Sequence, residues 1–575
     1  MGNCISFPRV STSRRCGTHG GQSDGTIAGT HAEEVIPCAD STSPDPPHPA
    51  LYNQDVLALL FDVFNPFNRT DRATCARSAR VCRAWAEPAS SVVWSKGVDL
   101  TTLLRILHRP SSWDTAARKV FSSAPGVAQE KLQVIRHEAW QSFLRCGARI
   151  RELSEGTFGL IPAYVELTHF LIRKNGTQTF LPHLKTLHWR QRADSSGILV
   201  RLVPPSLESL VLHVDELTAG CPLGTLGLQL SSAAPFLRRL EITCQTGLPI
   251  SFLIPLKSIR ELTLHNVLTA FRPEDVRRLL KAPNLEALHL SIKNFAKCQR
   301  VMDSGPNLRS IYCIGMCEDL ASFISLLDAP NLYDLGMYLL RPGDVDALRS
   351  LIGELKSAPC TRSVRSLKLI YGNSALRCDP TPLRYAVVAP QLAVGKIILQ
   401  PLFGHFNQLD TLIVGSCHCP SVLTDDDVLM LAKAWPGLKK LSLPSHATSP
   451  YCSRVASFPS VASLYHLSYH CPELIHLEIE LGDITLPPEF LQYPIPRIAH
   501  RLRTLKLSSL RWIEPDALAL VLAEVVDGLF PTLDIDACIR DKRPHFQWHG
   551  WPLMWAKVRE LQAERERRSI KNWQG

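Results

Sequence analysis

The residues best suited to metal or acid–base chemistry are a few clusters of cysteine, histidine and aspartate. Cys313 and Cys317 lie four apart, residues 417–419 read Cys-His-Cys, and residues 425–427 are three aspartates. Structural zinc sites combine two Cys or His pairs at set spacing, and neither cysteine cluster has a second pair. The aspartates open a predicted helix, where carboxylates complement the helix dipole. We therefore predict no metal site and no cofactor.

Catalytic motifs do not stand out either. The sequence has no H-E-x-x-H motif, no kinase signature set, no G-x-x-x-x-G-K-[ST] loop, and no G-x-G-x-x-G that follows a strand. Its 18 cysteines show no disulfide-type spacing and many stand among apolar residues, which is typical of free buried thiols. An enzyme stays as an alternative, with a pocket between the sequence repeats described below. The sequence alone does not show whether ionisable groups converge in such a pocket. We expect a non-catalytic protein.

The first six residues, MGNCIS, fit the N-myristoylation pattern M-G-x-x-x-[ST]. Cys4 stands close enough to Gly2 to carry a second acyl chain. One myristoyl chain holds a membrane only marginally, whereas two chains hold it stably. The pattern predicts lipidation at Gly2 and Cys4 and peripheral membrane contact through this segment, with a chance match as the alternative.

A repeated unit with the core L-x-x-L-x-L occupies most of the chain. Alternate residues of a strand point the same way, so the last two residues of each triplet can line an interior, while the first enters at the preceding turn. Units begin about 22 to 45 residues apart, and the closer ones fall within the range of leucine-rich repeats. The twelve triplets are Leu184/Leu187/Trp189, Leu207/Leu210/Leu212, Leu237/Leu240/Ile242, Ile259/Leu262/Leu264, Leu285/Leu288/Leu290, Leu308/Ile311/Cys313, Leu332/Leu335/Met337, Val364/Leu367/Leu369, Leu409/Leu412/Val414, Leu438/Leu441/Leu443, Leu474/Leu477/Ile479 and Leu502/Leu505/Leu507.

Segments between the triplets favour amphipathic helices, for example 273–283, 319–330 and 424–436. Each has acids near its start and a Pro near its end, and Thr424 is a predicted N-cap. Strands alternating with helices predict an α/β solenoid, with a curved parallel sheet inside and helices outside. Only Cys417 occupies the position three residues after a triplet where repeats of this kind usually carry Asn or Cys. The alternative is a Leu-rich doubly wound nucleotide-binding fold, which the absence of a phosphate loop argues against.

Two helical stretches before the repeats are rich in apolar residues. The first is YNQDVLALLFDVF, from Tyr52, and the second is ARVCRAWAEPASSVVW, which ends at Trp94 after a break predicted at Pro88. Helical spacing places Val56, Leu57, Leu60, Phe61 and Phe64 on one face and Val81, Cys82 and Trp85 on another. Two short helices cannot bury so much apolar surface between themselves. The pattern predicts a docking module, and a helical hairpin covered by the rest of the chain is the alternative.

This stretch resembles an F-box. F-box sequences open with Leu-Pro, here replaced by Tyr52 and Asn53, and continue with an acid and apolar residues, here matched by Asp55 and those that follow it. The later Val-Cys-Arg-x-Trp signature is present at 81–85. The helix between departs from the family, because Thr74, Cys75, Ala76, Ser78 and Arg80 replace an Asp and several Leu. The resemblance implies that the adaptor-binding surface is formed or supported by Val56, Leu57, Leu60, Phe61, Val81, Cys82, Trp85 and Trp94.

An F-box followed by leucine-rich repeats is the layout of substrate receptors of SCF-type cullin-RING ubiquitin ligases. The resemblance implies an adaptor partner and, through it, a cullin, with an unidentified target protein on the repeats and catalysis by other subunits. The overall layout of the chain resembles that of the fungal members of this class. That resemblance implies a cytoplasmic or nuclear protein, which acylation would anchor at a membrane. The alternative is a membrane-tethered repeat scaffold without a ligase role. The net charge of +10 is spread along the chain, so we expect no nucleic-acid partner.

These expectations divide the chain into five parts. Residues 1–50 are rich in Gly, Ser, Thr and Pro and are predicted to be a disordered tail. Residues 51–96 are the F-box-like domain, 97–160 a helical linker, 161–530 the solenoid, and 531–575 a C-terminal cap with a charged helix. The sequence contains no run of about 18 apolar residues, so we predict no membrane-spanning helix.

Overall fold

The computed structural model describes most of the chain in segments. These are residues 48–49, 52–107, 135–154, 162–176, 179–191, 196–214, 223–244, 248–265, 271–298, 302–340, 345–372, 392–416, 421–443, 458–482, 500–509, 516–540 and 550–574. The chain divides into two compact units, residues 1–183 and 184–575. The predicted acylation sites Gly2 and Cys4 lie outside the described residues, as does nearly all of the predicted tail.

The first unit begins with three helices and continues with two short strands among further helices. The strands pair in parallel, with Val98 opposite Leu153, so the segment 97–160, expected to be a helical linker, also contains sheet. The elements are α1 (Gln54–Asp62), α2 (Arg69–Ser78), α3 (Arg83–Ser95), β1 (Val98–Asp99), α4 (Leu100–Leu104), a 3-10 turn (Arg105–Leu107), α5 (His137–Gly147), β2 (Glu152–Ser154) and α6 (Pro162–Asn175).

Side chains from the preceding turns start the first two helices. The Asn53 Oδ1 atom accepts hydrogen bonds from the backbone N–H groups of Asp55 and Val56, at 2.9 and 3.3 Å. Asn68 caps α2 in the same way. An N-cap side chain satisfies backbone donors that have no partner inside the helix. The side chains of Asn53 and Asn68 therefore start these two helices.

The break predicted at Pro88 is wrong, because α3 runs through Pro88 and includes Trp94. Proline has no N–H, so the carbonyl of Ala84, four residues earlier, loses its helical donor. The Gln54 side-chain amide donates to this carbonyl instead, at 3.1 Å. This bond satisfies the freed acceptor and ties α1 to α3.

The second unit is a repeat solenoid in which strands alternate with helices or helical turns. Twelve of its strands form one parallel sheet and follow one another in chain order. They are β3 (Thr186–Gln191), β4 (Ser209–Val214), β5 (Arg239–Cys244), β6 (Glu261–His265), β7 (Ala287–Ser291), β9 (Ser310–Gly315), β11 (Asp334–Leu340), β12 (Ser366–Gly372), β14 (Thr411–Ser416), β16 (Lys440–Leu443), β17 (His476–Leu481) and β18 (Thr504–Ser509). Four short strands pair separately, β8 (Met302–Asp303) with β10 (Leu327–Asp328) and β13 (Leu392–Ala393) with β15 (Ser421–Val422).

The helical elements lie between the strands, and the predicted helices are present. Thr424 caps one of them in a capping box with Asp427, as its position in the sequence predicts. The α-helices are α7 (Ser196–Leu202), α8 (Leu223–Ala233), α9 (Pro273–Leu280), α10 (Cys317–Leu326), α11 (Val345–Ser357), α12 (Gln400–Leu402), α13 (Asp425–Ala434), α14 (Ala462–His470), α15 (Asp516–Leu529), α16 (Ile535–Arg540) and α17 (Gly550–Gln574). Shorter helical turns are Ile250–Phe252, Phe295–Lys297, Pro359–Ser363 and Gly395–Leu399.

The twelve predicted triplets lie at equivalent positions of the twelve strands. Their middle residues pair strand by strand and form one continuous row across the sheet: Leu187, Leu210, Leu240, Leu262, Leu288, Ile311, Leu335, Leu367, Leu412, Leu441, Leu477 and Leu505. Every residue of the triplets is buried except Leu507, which is half-buried. The repeat pattern therefore gives the strand register as well as the strand positions.

Just before each of the first eleven strands, one backbone carbonyl accepts two backbone hydrogen bonds from the next unit, and before the last strand the carbonyl of Arg503 accepts one, from Asp534. For example, the carbonyl of Arg309 accepts from the N–H groups of Tyr333 and Asp334, at 2.7 and 2.9 Å. We call the residues that provide these carbonyls the edge row: Lys185, Glu208, Arg238, Arg260, Glu286, Arg309, Tyr333, Arg365, Asp410, Lys439, Ile475 and Arg503. Because the bonds run from each unit to the next, the edge-row residues stand side by side in strand order.

A row of polar side chains also links the units, and it was not predicted. The residue before the first triplet position donates to a carbonyl of the preceding unit, as Ser206 does to Leu184 and Asn307 to Pro283, both at 3.1 Å. The linking residues before the triplets are Ser206, Ser258, Asn284, Asn307, Asn331 and Ser363, and Thr532, after the last triplet, makes the equivalent bond to Leu502. The sequence prediction looked for such residues after the strand, where only Cys417 fits, whereas the contacts lie before it.

The last helix packs on the solenoid through apolar and charged contacts. Met554 and Val558 of α17 are fully buried, and an Arg565–Asp527 ion pair joins α17 to α15. Within this charged helix, Lys557 pairs with Glu560 at 3.1 Å and Arg568 pairs with Glu564.

Candidate functional site

The most exposed apolar surface of the first unit lies along α1. Val56, Leu59, Leu60 and Val63 recur at helical spacing and cover one side of α1 and the residue after it, with Tyr52 before the helix and Phe67 beyond it. Leu59 is 71% exposed and Val63 is 85% exposed. We call these six residues the apolar stripe. Exposing large apolar side chains together leaves surface that another protein can cover.

The eight predicted adaptor-binding residues divide into an exposed and a supporting group. Leu57 and Phe61 are each 1% exposed and Trp94 is buried, so these residues belong to the core of the first unit. Trp85 is half-buried. The exposed members are Val56, Leu60, Val81 and Cys82, and the first two belong to the apolar stripe.

The core beneath the stripe is built around Phe61. Its ring meets Trp85 of α3 edge-on, with ring centroids 5.8 Å apart, and lies 6.0 Å from the ring of Phe64. Edge-to-face contacts of this kind stabilise aromatic pairs beyond the area they bury. Cys75 of α2 is fully buried, and burial raises the pKa of its thiol, so it is neutral at pH 7. Of the small residues of α2, Cys75 is thus part of the packed core, whereas Ala76 and Ser78 are half-buried and Thr74 is exposed.

Polar contacts hold these helices in place. The Arg72 guanidinium donates to the carbonyl of Gly97 at 2.9 Å and to that of Val93 at 3.4 Å, which joins α2 to the end of α3. Glu87 of α3 accepts both arms of Arg149, and this hydrogen-bonded pair lowers the pKa of the Glu87 carboxyl. The apolar stripe therefore lies on a braced three-helix platform.

Sequence analysis missed Leu59, Val63 and Phe67 as candidate site residues. It selected the face with Val56, Leu57, Leu60, Phe61 and Phe64, of which Leu57 and Phe61 lie in the core and Val56 and Leu60 are exposed. Helix α1 is apolar over two neighbouring sides, so hydrophobic periodicity alone does not say which side is inward. The signal that could have found the stripe is the recurrence of Tyr52, Val56, Leu59 and Val63 at helical spacing.

On the repeat unit, a cluster of rings lies on the face of the sheet opposite the buried triplets. His265 and His289 have ring centroids 5.1 Å apart, and His289 and Tyr312 are 4.3 Å apart. The Tyr312 ring lies over Gly336, where an added Cβ would come within 2.1 Å of it. Burial, with a smaller effect of His265, lowers the pKa of His289 to about 4. The Glu241 carboxylate lies 3.3 Å from the His265 ring, beside this cluster.

The predicted absence of a metal site stays an expectation. No group of three metal-ligating side chains occurs among the described residues, although the Cys-His-Cys run at 417–419 lies outside them. Cys313 and Cys317 are both buried in the repeats, and burial raises the pKa of the Cys313 thiol. None of the helices in the described segments is long and apolar enough to cross a membrane.

Comparison with known proteins gives little support for any assignment. No family model matches the sequence, and no curated protein matches it. Among solved structures, the chain is similar to one in the yeast complex of Rad7 and Elc1, with 14% sequence identity and a TM-score of 0.33. That match covers 82% of this chain and 94% of the other. The TM-score is too low for the match to support a conclusion about this protein.

Proposed function

We propose that this chain is a substrate receptor of an SCF-type cullin-RING ubiquitin ligase. In this proposal the apolar stripe and its neighbours Val81 and Cys82 bind the adaptor subunit, and the adaptor connects the chain to the cullin. The repeat solenoid binds the target protein. The chain itself makes or breaks no covalent bond, since ubiquitin transfer belongs to other subunits of the ligase.

The apolar stripe is the observation that supports this proposal. It lies on the helix whose sequence resembles the first F-box helix, and Leu57 and Phe61 beneath it are buried by the chain itself. Burying apolar surface contributes about 25 cal/mol per Å², so an exposed stripe of this kind favours association with a partner. The sequence resemblance identifies that partner as the adaptor of an SCF ligase.

The test is a pull-down of the full chain from a fungal extract, probed for the SCF adaptor and cullin. The variant to compare is Leu59→Asp with Val63→Asp, because both side chains are exposed and the core beneath them stays intact. We expect the intact chain to capture the adaptor and the variant to lose at least about 90% of it, since buried unpaired charges at an interface are costly. Circular dichroism should show both proteins equally folded.

A matched control carries Leu228→Asp with Phe236→Asp, which places the same charges on exposed apolar residues of the repeat unit. It should capture the adaptor as well as the intact chain does. Failure of the intact chain to capture adaptor, or equal loss in both variants, would contradict the proposal. Metabolic labelling with a myristate analogue would then test the membrane-tethered scaffold through Gly2.

A further inference from the structure

The edge row of the solenoid carries an excess of positive charge. Seven of its twelve residues are Lys or Arg and three are acids. The twelve strands that follow contain equal numbers of acidic and basic residues, five of each. The excess therefore belongs to this edge of the sheet and not to the sheet as a whole.

Each acid of the edge row is already paired with a neighbouring base. Lys185 and Glu208 lie 2.9 Å apart. The Arg260–Glu286 pair is 3.0 Å, and Lys439–Asp410 is 3.2 Å. Four arginines of the edge row form no ion pair among the described residues: Arg238, Arg309, Arg365 and Arg503. Of these, Arg238 adds to the effect of Lys185 in lowering the pKa of the Glu208 carboxyl.

Two of these arginines, Arg309 and Arg365, flank Tyr333 on three adjacent strands. The backbone N–H of Tyr333 donates to the Arg309 carbonyl at 2.7 Å, and that of Arg365 donates to the Tyr333 carbonyl at 2.9 Å. Neighbouring strands lie about 4.8 Å apart, so the two arginine backbones are about 10 Å apart. The backbone bonds fix the order Arg-Tyr-Arg along the edge.

All three side chains are available to a partner. Arg309 and Arg365 are exposed, and Tyr333 is 46% exposed. The carboxylate of Asp334, which follows Tyr333, is bound by Lys368 at 2.8 Å and by the Ser310 hydroxyl at 3.3 Å. The described part of the chain thus leaves both guanidinium groups without an anion.

We propose that Arg309, Tyr333 and Arg365 bind an acidic peptide segment of a protein partner. A guanidinium group pairs with a carboxylate or phosphate through two parallel hydrogen bonds, and an exposed tyrosine ring provides apolar contact between them. In a polyproline II segment, which has three residues per turn and rises about 3.1 Å per residue, residues three apart point the same way and lie about 9 Å apart. The fitting segment therefore has two anionic residues three apart, with apolar residues between them.

The pattern of charge favours a peptide over a nucleic acid. A nucleic-acid backbone presents a continuous series of phosphates and is bound by contiguous positive charge. The edge row is interrupted by Glu208, Glu286 and Asp410, which would repel such a series. The Arg-Tyr-Arg site itself spans only three strands. If the bound segment belongs to the ligase target, that assignment rests on the proposed function. The binding of an acidic peptide does not depend on the proposed function.

The test uses the full chain and fluorescein-labelled peptides, with binding followed by fluorescence anisotropy in 50 mM salt. The probe is Gly-Ser-Glu-Leu-Val-Glu-Gly-Ser, and its control has Gln at both Glu positions. We expect the acidic peptide to bind about tenfold more tightly than the amide control, a difference of about 1.4 kcal/mol. Replacing both Glu by phosphoserine distinguishes carboxylate from phosphate as the preferred anion.

The Arg309→Glu, Arg365→Glu variant should weaken binding of the acidic peptide at least about tenfold. Its matched control is Arg201→Glu with Arg278→Glu, two exposed arginines on the helices α7 and α9, which should change binding less than about twofold. Equal affinity for the acidic and amide peptides, or equal loss in the two variants, would overturn the proposal. So would tighter binding of a 15-nucleotide single strand that is lost in the first variant.

The first variant should still capture the adaptor, because the apolar stripe is unchanged. Loss of peptide binding with adaptor capture intact assigns the effect to the edge row. If no adaptor is captured but the acidic peptide binds, the ligase role fails and the edge-row site stands.

Discussion

The two units of the chain place their apolar residues differently. In the repeat unit, the twelve triplets are buried across the sheet, with Leu507 alone half-buried. In the first unit, α1 and the residues beside it expose six large apolar side chains within sixteen positions, from Tyr52 to Phe67. Both segments are apolar in sequence, so composition does not separate an inward residue from an outward one. The difference lies in what each element packs against.

A strand of the solenoid has a neighbour on each side and helices over one face, so its apolar residues find partners within the chain. Helix α1 has α3 on one side, where Leu57 and Phe61 are buried, and nothing among the described residues of its unit covers the side with Leu59 and Val63. The comparison shows that stacked repeats bury their apolar residues against one another. A short helical module with two apolar sides leaves one of them exposed.

Truncating one leucine in each unit should give the largest contrast. Leu412→Ala removes a fully buried residue of the middle row, and we expect a loss of about 2–5 kcal/mol in the free energy of unfolding. Leu59→Ala removes the same atoms from an exposed position and should change it by less than about 0.5 kcal/mol. Urea unfolding followed by far-UV circular dichroism measures both. A large loss in Leu59→Ala would break the comparison, because it would show that the chain itself covers the stripe.

The Gln54 side chain provides a smaller contrast within the first unit. Gln54→Ala leaves the Ala84 carbonyl without a donor, and we expect a loss of about 1 kcal/mol. In a Pro88→Ala background the restored N–H bonds this carbonyl within α3, so the same Gln54→Ala change should cost less. A double-mutant cycle by urea unfolding measures the coupling. Additive effects would show that Gln54 does not compensate for Pro88.

Acid should affect the two units in different pH ranges. This effect should be smaller than those of the leucine truncations and of Gln54→Ala. Burial is the largest cause that lowers the pKa of five histidines in the repeat unit: His289, His405, His466, His476 and His500. The unfolded chain binds protons more readily at these sites, so their contribution is present above pH 6.5 and is lost as the pH falls, towards about 4 for His289. The pKa of Glu87 in the first unit is lowered, so the stability that this carboxylate contributes is lost only as the pH falls below its usual pKa of 4.5.

The measurement is the change in melting temperature between pH 7 and pH 5 for the intact chain and for His289→Gln. We expect the variant to lose less stability on acidification, since one neutral buried imidazole has been removed. Glu87→Gln serves as the control and should follow the intact chain over this range. An unchanged pH dependence in His289→Gln would contradict the assignment of this effect to His289.

The sequence predicted the repeat unit in more detail than the first unit. Each L-x-x-L-x-L triplet combines a turn residue with two alternating strand residues, so it gives strand position, inward face and register together. The row formed by Ser206, Asn284 and their equivalents was missed, because the search looked for Asn after the strand. The contacts between units lie before it.

In the first unit, local rules left the outcome open. A proline six residues into a helix usually predicts a break, whereas here a tertiary contact from Gln54 satisfies the carbonyl that Pro88 leaves free. The choice between the two apolar sides of α1 depends on where α3 packs, which no local pattern encodes. Val56 and Leu60 were placed on the exposed side by the structure, and Leu57 and Phe61 on the buried side. Whether the exposed side binds an adaptor stays a prediction.

The chain-order arrangement of the strands has a consequence for how the molecule folds and diversifies. Each strand of the twelve-stranded sheet pairs with the next strand of that sheet along the chain, so every closure joins nearby segments, which favours rapid local folding. From Leu240 to Leu262 the chain takes 22 residues, and from Leu367 to Leu412 it takes 45. Doubling a loop adds only about 0.6 kcal/mol of closure entropy. Insertions between strands are therefore inexpensive, and the length of one unit can change while the register of the whole sheet is kept.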